Sequence, residues 1–133
     1  METTDAWYTA PTSRSLEDAS RAVEAALAAR RFSVLWAFDV HEKLREKGLE
    51  AHGRCRILEV CSAPRAKEAL DANPRAAYFL PCKVVVQERE GRTEIGLARP
   101  TALIGMLGDP ALRPLAEDVE RTLVAAAQEA ART

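Results

Sequence analysis

The sequence predicts an α+β fold, a mainly antiparallel sheet of about five strands with helices packed on one face. In several short segments the type of side chain alternates with a period of two, which is typical of strands. Other segments repeat apolar residues every three or four positions, which is typical of amphipathic helices. A tight turn at Glu90-Gly91 joins two neighbouring strand segments and indicates an antiparallel hairpin.

The amino-terminal segment predicts a strand followed by a helix. Residues 6–9 combine aromatic and β-branched side chains, which suit the pleated surface of a sheet. From residue 16 to residue 29 the apolar positions recur with helical spacing. Ser15 stands directly before this helix, where a serine side chain can accept a backbone hydrogen bond. We therefore expect Ser15 to cap it.

The clearest strand pattern runs from residue 32 to residue 40. A short helix follows, which Asp39 can cap and which Gly48 ends because glycine adopts the left-handed conformation readily. The alternation predicts a core face formed here and by a later strand, carrying Phe32, Val34, Trp36, Phe38, Val84 and Val86. The opposite face would carry Leu35, Ala37 and Val85.

The second half of the chain predicts three more strands and three helices. The strands cover residues 55–61, 82–89 and 93–99. A helix over residues 64–72 has proline in its first turn, where a missing N–H does no harm. Residues 101–107 predict one or two helical turns. A long helix that starts near Pro114 completes the chain, with an apolar face of Leu115, Val119, Leu123, Ala126 and Ala130.

Length and charge limit the classes of protein. The 133 residues predict a single domain over positions 1–133. A net charge of -1 gives no general attraction to nucleic acid or anionic lipid, so we expect neither as a partner. No segment approaches the roughly 20 apolar residues that cross a bilayer. The polar, acidic amino terminus lacks the pattern of a secretory signal, and the three cysteines suit a reducing compartment, which together predict a cytoplasmic location.

Three segments carry a family resemblance, namely residues 56–64, 67–70 and 80–86. They resemble the signature of the family called domain of unknown function 302, and the similarity extends over nearly the whole chain. The resemblance implies a TATA-binding-protein-like α+β fold and commonly a homodimer. It implies no reaction and no cofactor. It does not imply DNA binding either, because a shared fold does not carry a function with it.

A pair of cysteines forms one candidate site. Cys61 ends one predicted strand and Cys82 begins the next, so antiparallel pairing would bring both thiols to the same end of the sheet. They could bind a soft metal ion or alternate between dithiol and disulfide. The preferred interpretation is that they fill space in the core. Cys55 lies roughly 20 Å away along the strand, and His41 and His52 are expected on the surface.

The start of the helix at residue 64 forms a second candidate site. Free backbone amides and the positive end of the helix dipole favour an anion there, beside Ser62 and Arg65. The preferred alternative is an ordinary cap in which Ser62 binds a backbone N–H. The candidate ligand-binding residues are therefore Cys61, Ser62, Arg65, Cys82 and Lys83. A metal would bind only in the alternative with Cys61 and Cys82.

No catalytic motif for hydrolysis, phosphoryl transfer or dinucleotide binding occurs in the sequence. The leading hypothesis is a non-enzymatic, homodimeric module without a cofactor that binds a small ligand, an anion or a partner. The first alternative is a thiol-dependent redox or metal-handling protein, and the second is a cofactor-free enzyme. A second copy would cover the apolar face of Leu35, Ala37 and Val85. The terminal helix or the amino-terminal segment could cover it instead.

Overall fold

The computed structural model describes residues 2–132, and a six-stranded antiparallel sheet organises them. The strand order is β1-β2-β6-β5-β4-β3. The strands are β1 (Glu2–Thr3), β2 (Trp7–Thr12), β3 (Ser33–Asp39), β4 (Arg54–Cys61), β5 (Cys82–Arg89) and β6 (Arg92–Ala98). The predicted α+β class is confirmed, and the short β1 is the addition to the predicted strands. Met1 and Thr133, the ends of the predicted domain, lie outside the described residues.

Five α-helices connect or flank these strands: α1 (Leu16–Ala28), α2 (Val40–Glu46), α3 (Ala63–Ala72), α4 (Pro100–Gly105) and α5 (Arg113–Ala131). Two 3-10 segments, Pro74–Phe79 and Pro110–Leu112, precede β5 and α5. Ser15 caps α1 as predicted, because its side chain accepts the backbone N–H of Asp18. Within residues 2–132 no helix has the length and apolar character needed to cross a membrane.

Helices α1 and α5 pack against each other and against one side of the sheet, which we call the helix-covered face. Each fully buried leucine or valine there contributes about 1.5–3 kcal/mol. The buried strand residues are Tyr8, Ala10, Leu58, Val60, Val84, Val86, Ile95 and Leu97. The helices meet them with Leu16, Val23, Leu27, Val119, Leu123 and Ala126. We call the opposite side of the sheet the open face.

A β-bulge in β3 changes which side chains face the core. Val34 pairs with Val60 and Trp36 pairs with Glu59, so Leu35 is an extra residue without a partner on β4. After Leu35, each side chain of β3 therefore points to the face opposite the one that the sequence alternation predicts. Trp36 is 58% exposed and stacks on the half-buried Phe38, with ring centroids 5.2 Å apart.

The predicted core positions of Trp36 and Phe38 are therefore wrong, because the bulge turns both rings to the open face. The prediction for Ala37 is wrong in the opposite sense. The alternation predicts Ala37 opposite the core face, but it pairs with Leu58 and lies on the helix-covered face. The remaining predictions for these strands hold. Phe32, Val84 and Val86 are buried, and Val34 packs against the core. Val85 pairs with Ile57 on the open face, as predicted.

Candidate functional site

A cavity of about 310 Å³ lies at the end of the sheet where β5 begins. Neighbouring strands β4, β5 and β6 contribute Glu59, Lys83 and Ala98 to it. Its remaining walls come from the segment before β5 and from α4, with the side chains of Tyr78, Phe79, Leu80, Pro81, Pro100, Leu103 and Ile104. Apart from Tyr78 these walls are apolar. We call this space the Glu59 cavity.

The local sequence explains how these parts meet. Glu59 lies directly opposite Lys83 in the antiparallel register of β4 and β5, so both side chains project from the open face. Asn73 ends α3, and its side chain accepts the N–H of Arg75 to start the 3-10 segment that leads to the cavity wall. Helix α4 begins at Pro100, which suits a first turn because proline lacks an N–H.

Glu59 is the chemically distinctive residue of this cavity. The residue is 7% exposed, and its Oε1 accepts a hydrogen bond from the Lys83 ammonium. Its Oε2 is buried and accepts no hydrogen bond from any residue between 2 and 132. An unsatisfied buried polar atom costs about 1–3 kcal/mol, and more when it is charged. A ligand that donates a hydrogen bond to Oε2 would offset that cost.

Four of the five predicted site residues line a smaller cavity on the other side of the sheet end. Cys61, Ser62, Arg65 and Cys82 surround a space of about 30 Å³. That volume corresponds to about one water molecule. Lys83 is separate, because it lies in the Glu59 cavity, and Cys82 lines both spaces.

The two predicted anion-binding residues at the start of α3 are Ser62 and Arg65, and of these Arg65 is engaged in ion pairs. Ser62 is buried but makes no side-chain hydrogen bond to the helix, so the predicted capping role is wrong. Arg65 forms ion pairs with Glu68 and Asp118. Because two carboxylates already contact this guanidinium, an anion entering the smaller cavity would have to compete with both.

The cysteine thiols of residues 2–132 are all free. Burial raises the pKa of Cys61. It also raises the pKa of Cys82 to about 11, with further contributions from Cys61 and Glu59. Only the thiolate is an effective nucleophile or metal ligand, so both thiols are weakly reactive at neutral pH.

Asp39, His41 and Glu42 place potential metal-ligating atoms within 4.8 Å of one another. His41 is buried, which corrects its predicted surface position, and its Nδ1 accepts the N–H of Cys55 at 3.0 Å. Asp39 accepts two hydrogen bonds from Arg56, at 2.6 and 3.1 Å, which lower the pKa of that carboxyl. These bonds attach the end of β3 and the start of α2 to β4. His52 is exposed as predicted.

A third cavity, of about 520 Å³, lies beside α4 and α5, and half of its lining residues are charged. Its charges largely compensate one another. Arg99 contacts Glu120 at 3.1 Å, and Glu120 also accepts hydrogen bonds from the backbone and hydroxyl of Thr101. The unsatisfied buried carboxylate oxygen found among residues 2–132 belongs to Glu59, a lining residue of the Glu59 cavity, which is therefore the stronger candidate site.

Lys83 is among the ligand-binding residues that the sequence predicts, whereas Glu59 is not. The sequence nevertheless contains a feature that distinguishes Glu59. Glu59 is the charged residue within the run Ile57-Leu58-Glu59-Val60, and antiparallel pairing sets it opposite Lys83. What the sequence could not supply was the covering by α4 and the 3-10 segment, which depends on long-range packing.

Comparison with known proteins gives one consistent result. The family model for domain of unknown function DUF302 matches residues 8–130. The chain is also similar to the crystal structure of an uncharacterized conserved DUF302 protein from Bacillus stearothermophilus. The two share 42% sequence identity with a TM-score of 0.91, over 95% of this chain and 98% of that one. No curated protein matches the chain.

Proposed function

The chain belongs to the DUF302 family, a domain family of unknown function, and we propose that it is a non-enzymatic module that binds a small molecule in the Glu59 cavity. The single observation that carries this proposal is the buried Oε2 of Glu59, which accepts no hydrogen bond from residues 2–132. Buried polar atoms in folded proteins nearly always have a partner. Because Glu59 lines a cavity, a molecule bound there with a hydrogen-bond donor is the partner that we propose for this atom.

The shape and lining of the cavity support binding of a small molecule. Its volume of about 310 Å³ lies at the lower end of the range for small-molecule sites, about 300–1,000 Å³. Such sites combine mostly apolar walls with a few convergent polar groups. Here the polar groups are Glu59 and Lys83, and the apolar walls include Phe79, Leu80 and Leu103.

A fragment screen followed by amide-resolved NMR tests this proposal. We expect binding molecules to shift the amide signals of residues around Glu59. Ala98→Phe should abolish these shifts because the ring would fill part of the cavity that Ala98 and Glu59 both line. Ala37→Phe is the matched control, since Ala37 is exposed and lies on the helix-covered face, opposite the face that carries Glu59. The proposal is overturned if no fragment shifts the cavity signals, or if the shifts persist in Ala98→Phe.

We further propose that the module is a homodimer that covers its open face. Trp7 and Trp36 are 47% and 58% exposed, and Phe38, Ile57 and Val85 are half-buried on the same face. The chain exposes 7970 Å², whereas a folded monomer of 14.6 kDa exposes about 6,900 Å². The difference of about 1,070 Å² exceeds the roughly 800 Å² that each partner buries in a standard interface. A second copy with a self-complementary surface is the simplest partner.

A further inference from the structure

We infer that the ligand of the Glu59 cavity is an uncharged molecule of about ten non-hydrogen atoms, with one hydrogen-bond donor and an apolar body. This inference rests on the proposed function and specifies the chemistry of the molecule that the cavity binds. Three properties of the site carry it: the free acceptor of Glu59, the balance of charge around it and the composition of the walls.

The free Oε2 of Glu59 requires a hydrogen-bond donor on the ligand. One oxygen of Glu59 already accepts from Lys83, and the buried Oε2 has lone pairs that no residue between 2 and 132 uses. A carboxylate oxygen can only accept hydrogen bonds. A ligand without an O–H or N–H group would leave this atom unsatisfied, and the cost of its burial would persist.

The charge balance disfavours an ionic ligand. Lys83 and Glu59 form an ion pair, so the polar end of the cavity carries no net charge. An anion would encounter Oε2 of Glu59, and a cation would encounter the ammonium of Lys83 beside the oxygen that it needs. Either ion would also lose hydration against apolar walls without gaining a dedicated counterion, which is unfavourable. An uncharged donor meets neither repulsion.

The walls and the volume define the rest of the molecule. Phe79, Leu80, Pro81 and Leu103 present apolar surface to the space. The cavity volume of about 310 Å³ corresponds to about ten water-sized atoms, since one water occupies about 30 Å³. The ligand class is therefore a small alcohol, phenol or heteroaromatic N–H compound rather than a nucleotide or a sugar phosphate.

Four probes of similar size separate these chemical properties. Benzyl alcohol is uncharged and has a donor, anisole is uncharged without a donor, benzylammonium is a cation and benzoate is an anion. We expect benzyl alcohol to shift the amide signals around Glu59 with a dissociation constant about tenfold lower than that of each other probe, which corresponds to one charge-assisted hydrogen bond.

Glu59→Gln tests the role of the free oxygen. With its carbonyl oxygen toward Lys83, the glutamine would place its amide NH₂ where Oε2 of Glu59 lies, so a donor would replace the free acceptor. Benzyl alcohol should then lose about tenfold in affinity, and anisole, which can accept a hydrogen bond, should bind at least as tightly as before. Glu94→Gln is the matched control, because Glu94 is exposed on the open face of β6. Its affinities should equal those of the natural protein.

The outcomes distinguish the inference from the proposed function. If anisole or a charged probe binds the cavity of the natural protein as tightly as benzyl alcohol, the inference is overturned while the proposed function stands. If none of the four probes shifts the cavity signals while other fragments do, the inference alone is overturned, and if no fragment does so either, both are overturned. The probe series uses the natural protein, so it remains decisive even if Glu59→Gln fails to fold.

Discussion

Arg54 illustrates at the residue scale how charge connects separate elements. Its guanidinium contacts Glu17 of α1 at 2.5 Å and Glu88 of β5 at 2.9 Å. The hydrogen bond from Arg54 lowers the pKa of Glu17 from its usual 4.5 to about 2, and it lowers the pKa of Glu88 as well. The three side chains are partly exposed, so their contribution to stability is modest.

The lowered pKa values predict the direction of a pH effect. A carboxyl group with a lowered pKa stabilises the fold above its unfolded-state pKa, and this contribution disappears as the pH falls through the folded-state value. For Glu17 that window runs from about pH 4.5 to about pH 2. We predict that Arg54→Met reduces the unfolding free energy at pH 7 and makes its decline below pH 5 shallower.

Urea denaturation at a series of pH values measures this effect. Arg92→Met is the control, because Arg92 is an exposed arginine at the turn between β5 and β6. Its pH dependence should match that of the natural protein. Equal slopes in all three proteins would contradict the prediction.

At the scale of elements, the bulge in β3 determines which residues face the core. A regular ladder would pair Leu35 with Glu59 and would turn Trp36 and Phe38 toward the helices. The extra residue prevents this, since Trp36 pairs with Glu59 instead. The alternation of apolar residues continues unbroken through Leu35, so the pattern contains no sign of the bulge. The bulge results from the pairing of β3 with β4.

Deletion of single residues tests this description. We predict that a chain lacking Leu35 still folds, with an unfolding free energy within about 1 kcal/mol of the natural value, because the deletion removes the unpaired residue and leaves every later pair in place. Deletion of Ala37 is the contrasting control. It would turn Phe38 and Asp39 each to the face opposite the one it now occupies, and it would break the ion pair of Asp39 with Arg56. Urea unfolding followed by circular dichroism would compare the two, and equal losses would contradict the bulge assignment.

The limits of sequence-based prediction follow from the range of the interactions. The bounds of α1, β4 and β5 agree with prediction within one residue, because caps and periodicity act locally. The 3-10 segment Pro74–Phe79, the strand β1 and the environment of Glu59 escaped prediction. Their conformations depend on contacts between segments far apart in the chain, which a periodic pattern does not encode.

At the scale of the whole molecule, the exposed apolar surface predicts association. Light scattering at micromolar concentration should give twice the chain mass of 14.6 kDa. Trp36→Asp should shift the equilibrium toward a single chain, because it places a charge on the apolar open face. Met106→Asp is the control, since Met106 is 75% exposed at the end of α4. A single-chain mass for the natural protein would contradict the homodimer, and a dimer unaffected by Trp36→Asp would place the interface elsewhere.

The positions of the two tryptophans have a spectroscopic consequence. The chain has two tryptophans, and both Trp7 and Trp36 project from the open face, while the core beneath α1 and α5 is built from aliphatic residues, Phe32 and Tyr8. Indole fluorescence therefore reports on that surface and not on core packing. An isolated chain should emit at the long wavelengths of hydrated indole, and covering the open face should shift the emission to shorter wavelengths. The chain thus carries its own optical probe for association.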